Sequence, residues 1–231
     1  MRSVIVYALS LLLSGCNGLP HPLTNAENYR GYFNVHSSYP MPYQAQGSAV
    51  QWNQEIAVTV AHIPYIADVV YRCSTGCDLV FFKHPAVGAL PAWRNVAGGE
   101  PVTAVGSSLL SIDVEGEGVA KNTRVRLSDV SDPTPYAVQD GPVIKGMSGG
   151  PVYGNDGAVV GITVGMLSGD VARVGELSSS KRLSIFLPYD IIHKEWTLYK
   201  ARQKMMEVGV IGRGYILIKD FYPGRSGSRG R

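Results

Sequence analysis

Charge is scarce in this chain. Asp, Glu, Lys and Arg together make up 17% of its 231 residues, and the formal net charge is only +3. So small an excess of positive charge does not indicate a nucleic-acid partner, and no basic stripe occurs before the last few residues. The 45% of hydrophobic residues and the 27 glycines instead favour a β-rich globular protein of one domain over a coiled coil or a disordered chain.

Long hydrophobic runs are also lacking, and the run near the start covers only residues 4–13. This run is too short to cross a bilayer as a stable helix, and the small residues after it are typical of a cleavable signal peptide over residues 1–15. The stretch "LSGC" resembles the bacterial lipobox, in which the cysteine is lipidated and becomes the first mature residue. The resemblance implies a lipid on Cys16 that anchors the protein to a membrane of the bacterial cell envelope. By the same resemblance, Asn17 favours the outer membrane, facing the periplasm. The alternative to a lipobox is an ordinary signal peptide or a buried N-terminal strand.

Cysteine is rare, with three residues in all. If Cys16 carries lipid, Cys73 and Cys77 remain, in the stretch "RCSTGCD". Outside the cytoplasm such a pair can close a small disulfide loop. Two free thiols are an alternative, and a metal site would need further ligands, although no histidine lies within four residues of either cysteine. We expect no metal and no other cofactor.

The sequence predicts many short β-strands. Stretches rich in β-branched residues follow one another over residues 46–188, which is typical of a sandwich or a barrel. The turn signal at 155–157, between two apolar stretches, predicts a hairpin. Residues 16–45 are rich in Pro, Tyr and Asn, and we interpret them as a lipidated N-terminal tether. Apolar residues at helical spacing predict an α-helix over 189–208, and residues 222–231 are expected to form a disordered basic tail.

One serine stands among glycines in "KGMSGGPVYG", and an apolar stretch follows it. A flexible linker would not continue into a buried strand, so Ser148 is either a turn residue or a nucleophile. Gly146 permits a backbone in which the N–H groups of Gly146 and Ser148 face a developing oxyanion. The candidate base is His62, at the end of "IAVTVAHI", and the candidate carboxylate is Asp78, which opens "DLVFF". Taken alone each is more often a structural or turn residue, but acyl transfer by serine needs all three groups.

The order His62, Asp78, Ser148 is that of the chymotrypsin-like serine proteases. The stretches "AVTVAH", "CDLVFF" and "GMSGGP" resemble the surroundings of that family's base, acid and nucleophile. The resemblance covers residues 46–190 and extends to the simpler bacterial members, including the high-temperature-requirement-type periplasmic proteases. It implies that His62, Asp78 and Ser148 form a catalytic triad.

The resemblance also implies a fold and exposes two departures from the family. The implied fold is all-β, with two antiparallel six-stranded β-barrels over roughly 46–95 and 96–188, a C-terminal α-helix and the site between the barrels. Met147 stands where digestive members carry an Asp that pairs with a new N-terminus, so activation by N-terminal cleavage is not expected. The base and the acid lie only 16 positions apart, which is short for the family, and Asp68 is the alternative acid.

The pocket for the substrate side chain before the scissile bond, P1, is expected between the segment before the nucleophile and the strand after the next hairpin. The substrate-binding residues implied by the resemblance are Pro142, Lys145, Thr163, Val164 and Gly165. Pro142 lies near the place of the aspartate in a trypsin-like pocket, so a strict preference for Arg or Lys is not expected. The hydroxyl of Thr163 suits a polar P1 side chain, and a small to medium apolar one is the alternative. The edge at Val164 and Gly165 is expected to pair with substrate backbone as an added strand.

Three functions are open at this point. The first is a serine endopeptidase of the cell envelope that acts on protein or peptide substrates. The second is a catalytically idle protease-fold lipoprotein that serves as a binding module. Idle relatives usually lose a triad residue or an oxyanion glycine, and this chain keeps both. The third is an esterase with a G-x-S-x-G elbow, which needs parallel strands alternating with helices and a late histidine.

Overall fold

The computed structural model of this chain describes residues 18–127, 132–167, 175–178, 180 and 182–220, with the backbone alone at 26 and from 208 onward. The predicted signal peptide, Cys16 and the predicted basic tail lie outside the described residues. The chain divides into two compact units, one ending at Ile192 and the other beginning at His193.

The described residues form short strands followed by one α-helix. In chain order these are β1 (His21–Pro22), β2 (Tyr32–His36), β3 (Gln46–Gln51), β4 (Ile56–Thr59), β5 (Val69–Arg72), β6 (Val80–Lys83), β7 (Pro101–Ser107), β8 (Asp113–Val125), β9 (Tyr136–Gln139), β10 (Pro151–Gly154), β11 (Val159–Met166), β12 (Ser184–Pro188) and α1 (Tyr189–Asp220).

The first half of the chain forms a five-stranded antiparallel sheet in the order β2-β3-β4-β6-β5. The turn between β3 and β4 forms because the side-chain oxygen of Asn53 accepts the N–H groups of Glu55 and Ile56, both at 2.9 Å. All four residues of β4 are buried. The strand that leads to His62 is therefore held firmly on both faces.

The second half closes into an antiparallel barrel of six strands. Their order is β8-β7-β10-β11-β12-β9, and β9 pairs back to β8. The predicted hairpin at 155–157 is confirmed: it joins β10 to β11, and Gly157 adopts a φ of 77°, which glycine tolerates without a steric cost. The interior is filled by apolar side chains that include Val152, Val160 and Phe186.

The all-β class with a closed six-stranded barrel and a C-terminal helix is confirmed, but two features differ from the sequence prediction. The first sheet has five strands rather than six in the described residues. Strand structure also begins ahead of residue 46, because β1 pairs with β8 and β2 pairs with β3. Tyrosines of this stretch bond to acids of β8: the Tyr29 hydroxyl donates to Glu115 at 2.6 Å and the Tyr32 hydroxyl to Asp113 at 2.8 Å.

Helix α1 begins at Tyr189, directly after the proline that ends β12, and continues past the predicted end at 208 to Asp220. Asp190 lies in its first turn, where a carboxylate interacts favourably with the helix N-terminus, and it also pairs with Arg124 at 2.8 Å. Among the described residues, no helix combines the length and the apolar character needed to cross a membrane.

Candidate active site

His62 and Asp78 meet through two hydrogen bonds. The backbone N–H of His62 donates to Asp78 Oδ1 at 2.9 Å, and the distance from His62 Nδ1 to Asp78 Oδ2 is 2.6 Å. Because an ionised carboxylate only accepts, the ring proton lies on Nδ1, and Nε2 of the neutral ring keeps its lone pair. The histidine side chain is 49% exposed and the aspartate side chain 18%. The ring is thus fixed in one tautomer with its basic nitrogen accessible.

Asp78 is held in place by covalent structure on one side. The predicted disulfide is confirmed: it joins Cys73 to Cys77, with a distance of 5.5 Å between the two Cα atoms. It closes the loop between β5 and β6, and Asp78 is the next residue. The short loop therefore leaves the acid little freedom to move away from His62.

A buried tyrosine, which the sequence analysis did not identify, holds Asp78 from the other side. The hydroxyl of Tyr136 accepts the backbone N–H of Asp78 at 3.1 Å and donates to Asp132 Oδ2 at 2.6 Å. Tyr136 is fully buried, and burial together with the carboxylate of Asp132 raises its pKa. The tyrosine is therefore neutral, and its hydroxyl can accept one hydrogen bond while it donates another.

Ser148 lies on a tight turn, and a glycine is required on each side of it. Gly146 has a φ of 101°, and a Cβ there would lie 2.3 Å from the carbonyl oxygen of Ser107. Gly149 has a φ of 82°, and a Cβ there would lie 2.0 Å from the Thr59 hydroxyl oxygen. Both positions therefore require glycine for conformation and for space.

Ser48 of β3 links this turn to the first sheet. Its hydroxyl donates to the carbonyl of Gly146 at 3.0 Å and accepts the N–H of Ser107 at 2.9 Å. Its N–H donates to the carbonyl of Ser148 at 2.8 Å, and its carbonyl accepts the Thr59 hydroxyl at 2.7 Å. Since Thr59 ends β4, three residues before the predicted base, these contacts bring the serine turn and the histidine turn to the same junction.

The backbone N–H groups of Gly146 and Ser148 are the predicted oxyanion donors. Within the described part of the chain, neither group donates a hydrogen bond to a protein acceptor. Met147 between them is fully buried and packs in the barrel interior. With the middle side chain anchored inside, the two N–H groups can serve as paired donors to an oxyanion.

The Ser148 hydroxyl donates to the carbonyl of Val164 at 3.4 Å, a long hydrogen bond. Across the residues that the structure describes, no hydrogen bond joins Ser148 to His62. Hydrogen bonds of catalytic groups are often long or misaligned before substrate binds.

Solved structures resemble the fold of this chain, although neither a family model nor a curated protein matches the chain. A serine endoprotease from Yersinia pestis aligns with a TM-score of 0.58 and 16% identity, over 78% of this chain and 67% of that one. The Rv3671c protease, in an inactive form, aligns with a TM-score of 0.58 and 15% identity, over 78% of this chain and 98% of that one. This chain has the chymotrypsin-like protease fold.

A third protease with this fold is the HtrA-type protease AlgW, solved with a tripeptide. It aligns with a TM-score of 0.59 and 14% identity, over 73% of this chain and 61% of that one. The present chain thus spans about three fifths of the length of AlgW. Identities this low establish the protease fold only, so the chemistry of the site depends on its own residues.

Of the predicted substrate-binding residues, Thr163 and Val164 form hydrogen bonds with the serine turn of this protease fold. The N–H of Thr163 donates to the carbonyl of Gly150 at 2.8 Å, and the Thr163 carbonyl accepts the N–H of Gly149 at 2.7 Å. The Thr163 hydroxyl is buried and has no hydrogen-bond partner within the described residues. Val164 and Gly165 are half-buried at a bulge in β11, where the pairing with β12 shifts. The other two predicted substrate-binding residues differ in exposure: Pro142 is half-buried and Lys145 is exposed.

Two alternatives from the sequence are not supported by this geometry. Asp68, the alternative acid, is exposed in the turn before β5 with a φ of 52°, whereas the carboxylate that bonds to His62 is that of Asp78. The esterase fold requires a parallel sheet, but the strands of both sheets pair antiparallel. The literal G-x-S-x-G pattern is therefore a feature of the serine turn in a protease fold.

Proposed function

We propose that this protein is a serine endopeptidase of the bacterial cell envelope. The observation that carries the proposal is the double hydrogen bond between His62 and Asp78, which fixes the imidazole tautomer that a general base requires. In this assignment His62 is the base, Asp78 orients it and Ser148 is the nucleophile. The N–H groups of Gly146 and Ser148 form the oxyanion hole.

The proposed reaction proceeds through an acyl-enzyme. His62 Nε2 takes the proton of the Ser148 hydroxyl while the oxygen attacks the scissile carbonyl carbon, and the two N–H donors bind the resulting oxyanion. The C–N bond breaks as His62 returns that proton to the leaving amine. A water molecule then gives a proton to His62 and attacks the ester, and Ser148 regains its proton as the acid product leaves.

The proposed substrate is an extended stretch of protein or peptide. Its backbone would add as a strand beside Val164 and Gly165, with Pro142 and Lys145 in the segment before the nucleophile. Thr163 is the proposed contact for the P1 side chain, because its buried hydroxyl has no hydrogen-bond partner among the residues that the structure describes. No cofactor takes part in this mechanism.

We also propose the cell location from the sequence. A lipid on Cys16 would hold the enzyme on a membrane of the envelope. Asn17, which follows the cysteine, favours the outer membrane, facing the periplasm. Labelling of cells with radioactive palmitate tests this: Cys16→Ser should abolish incorporation into the protein. Incorporation that persists in this variant would contradict the anchor.

The experiment that tests the activity is covalent labelling by a fluorophosphonate probe on the full chain in mild detergent. We expect labelling of the parent and of His36→Ala, a control at an exposed histidine of β2, and none of Ser148→Ala or His62→Ala. Cleavage of fluorescent casein should follow the same pattern. Equal labelling of the parent and Ser148→Ala would rule out the proposed nucleophile.

A second function, a catalytically idle binding module, is favoured by one observation. The Ser148 hydroxyl bonds to the carbonyl of Val164 and not to His62, which is the arrangement of a resting site. If a folded parent protein neither reacts with the probe nor cleaves casein, this function is preferred over the endopeptidase. Peptide binding to Ser148→Ala at the strength of the parent would then support it.

A further inference from the structure

The chain is attached to the barrel from the first residue that the structure describes. A Cβ at Gly18 would lie 3.0 Å from the guanidinium carbon of Arg182. Three residues later β1 begins, and His21 and Pro22 pair with Glu115 and Val114 of β8. The segment over 18–22 is therefore packed against the barrel of the second half of the chain.

Glu115 fastens the residues that follow. Its side chain is only 5% exposed, and its carboxylate accepts the Thr24 hydroxyl at 3.1 Å and the Tyr29 hydroxyl at 2.6 Å. Burial and this carboxylate raise the pKa of Tyr29 to about 12. The carbonyl of Arg30 accepts the buried Tyr153 hydroxyl at 2.8 Å, and β2 follows directly. The contacts continue through 18–36 without a free stretch long enough to act as a tether.

The covalent distance from the predicted lipid to the fold is therefore short. An extended chain spans at most about 3.6 Å per residue, so Cys16 lies within about 7 Å of Gly18 and within about 18 Å of His21. A flexible tether over 16–45 would instead have an end-to-end distance of roughly 30 Å and a much longer maximum reach. A lipid on Cys16 would thus place the barrel on the bilayer surface.

The candidate substrate cleft lies next to this attachment. His21 is opposite Glu115, and the next residue of β8, Gly116, packs against the segment before the nucleophile. A Cβ at Gly116 would lie 2.0 Å from the carbonyl oxygen of Pro142, a predicted substrate-binding residue. The N-terminal segment and the predicted substrate-binding segment thus contact adjacent residues of one strand.

We propose that this protease-fold domain works in contact with the bilayer and that its substrates are polypeptide segments lying close to the same membrane. The proposal rests on the proposed function, both the lipid on Cys16 and the Ser148 nucleophile. Its specific content is that residues 18–36 act as part of the folded domain, with β1 on the barrel and β2 on the first sheet, and hold the candidate substrate site near the lipid. Substrate segments far above the bilayer are then out of reach, whatever their sequence.

The first test measures the distance of the protein from the bilayer surface and does not depend on catalytic activity. A fluorescent donor is placed on Leu110→Cys, a position 80% exposed in the loop between β7 and β8 of the barrel, in the lipidated full chain, which is reconstituted in vesicles of phosphatidylethanolamine and phosphatidylglycerol with an acceptor on the lipid head groups. We expect strong energy transfer, and a large loss when 30 Gly and Ser residues are inserted between Asn17 and Gly18. Equal transfer in the two proteins would overturn the proposal, as would the absence of lipid on Cys16.

The second test measures reach through cleavage. Single-pass reporter proteins carry a casein segment either next to their membrane helix or above a helical spacer of 30 residues, about 45 Å long. In vesicles the parent should cleave the near reporter at least about tenfold faster than the far one, and the insertion should bring the two rates within about twofold. In detergent both reporters should be cleaved equally by both proteins.

The outcomes separate this proposal from the proposed function. Equal cleavage of near and far reporters by the parent in vesicles would overturn membrane-proximal action and leave the endopeptidase intact. No cleavage in detergent, with strong energy transfer in vesicles, would overturn the endopeptidase and with it the assignment of substrates, while the membrane contact would stand.

Discussion

Tyr136 holds Asp78 by its backbone: the N–H of Asp78 donates to the Tyr136 hydroxyl at 3.1 Å. The two residues belong to different halves of the fold, since Asp78 precedes β6 of the first sheet and Tyr136 begins β9 of the barrel. Asp132 completes the chain of hydrogen bonds by accepting from the tyrosine at 2.6 Å. The carboxylate that orients His62 is therefore positioned by both halves.

Tyr136→Phe should lower kcat about tenfold, which corresponds to about 1.4 kcal/mol, with little change in KM. The substitution leaves the N–H of Asp78 without its partner, so the carboxylate can rotate away from His62. Stopped-flow hydrolysis of a peptide ester measures kcat and KM separately. Tyr71→Phe, at a buried tyrosine of the first sheet, is the matched control. Equal losses of kcat in the two variants would show that Tyr136 has a structural role only.

Alkaline stability should also report on Tyr136. Because burial and Asp132 raise its pKa above the ordinary value near 10, the folded state keeps the proton that the unfolded state loses. The contribution to stability is complete below pH 10 and falls by about 1.4 kcal/mol per pH unit above it. Urea unfolding between pH 9 and 11 should therefore show a steeper decline for the parent than for Tyr136→Phe, and parallel declines would contradict this account.

Removing the disulfide should loosen the acid. The double variant Cys73→Ser, Cys77→Ser should lose about 2 kcal/mol of stability, the value that loop entropy gives for so short a loop. It should also lose activity at temperatures where it remains folded, because Asp78 is the residue after Cys77. Thermal unfolding and casein cleavage, measured on the same samples, separate the two effects. Full activity in the folded variant would show that β6 and Tyr136 position Asp78 without the disulfide.

Met147→Asp should unfold the barrel or destabilise it by at least about 3 kcal/mol. Met147 is fully buried among apolar side chains, so a carboxylate there would be a buried charge without a partner. Met147→Leu is the control, because a volume-conserving swap costs less than about 1.5 kcal/mol. Chemical denaturation of both variants makes the comparison. A stable Met147→Asp protein would mean that the turn can supply a cation to this position.

The sequence predicted the parts of the site that depend on local motifs and missed those that depend on distant contacts. Asp78 was identified because its neighbours fit a known context, whereas Tyr136 shows no local signal and meets Asp78 from 58 positions away. The composition of residues 16–45, rich in Pro, Tyr and Asn, predicts a tether, but residues 18–36 of this segment are packed on the fold. These residues are ordered because Tyr29 reaches Glu115, an acid of an unremarkable strand 86 positions on. Such pairings exist only after the barrel has closed.

Thr163→Val should change which side chain is accepted at P1. The Thr163 hydroxyl is buried beside the serine turn and has no partner within the described part of the chain. Leaving such a group unpaired costs about 1–3 kcal/mol. A substrate with a polar P1 side chain removes this cost, and an apolar one does not. In a peptide library we therefore expect kcat/KM for polar P1 residues, relative to apolar ones of similar size, to fall at least about tenfold in the variant. Thr163→Ser, which keeps the hydroxyl, should retain most of the parent preference. If the order of kcat/KM among the P1 residues is the same for Thr163→Val and the parent, the hydroxyl does not contact the substrate. The P1 side chain would then be recognised by the segment that contains Pro142 and Lys145.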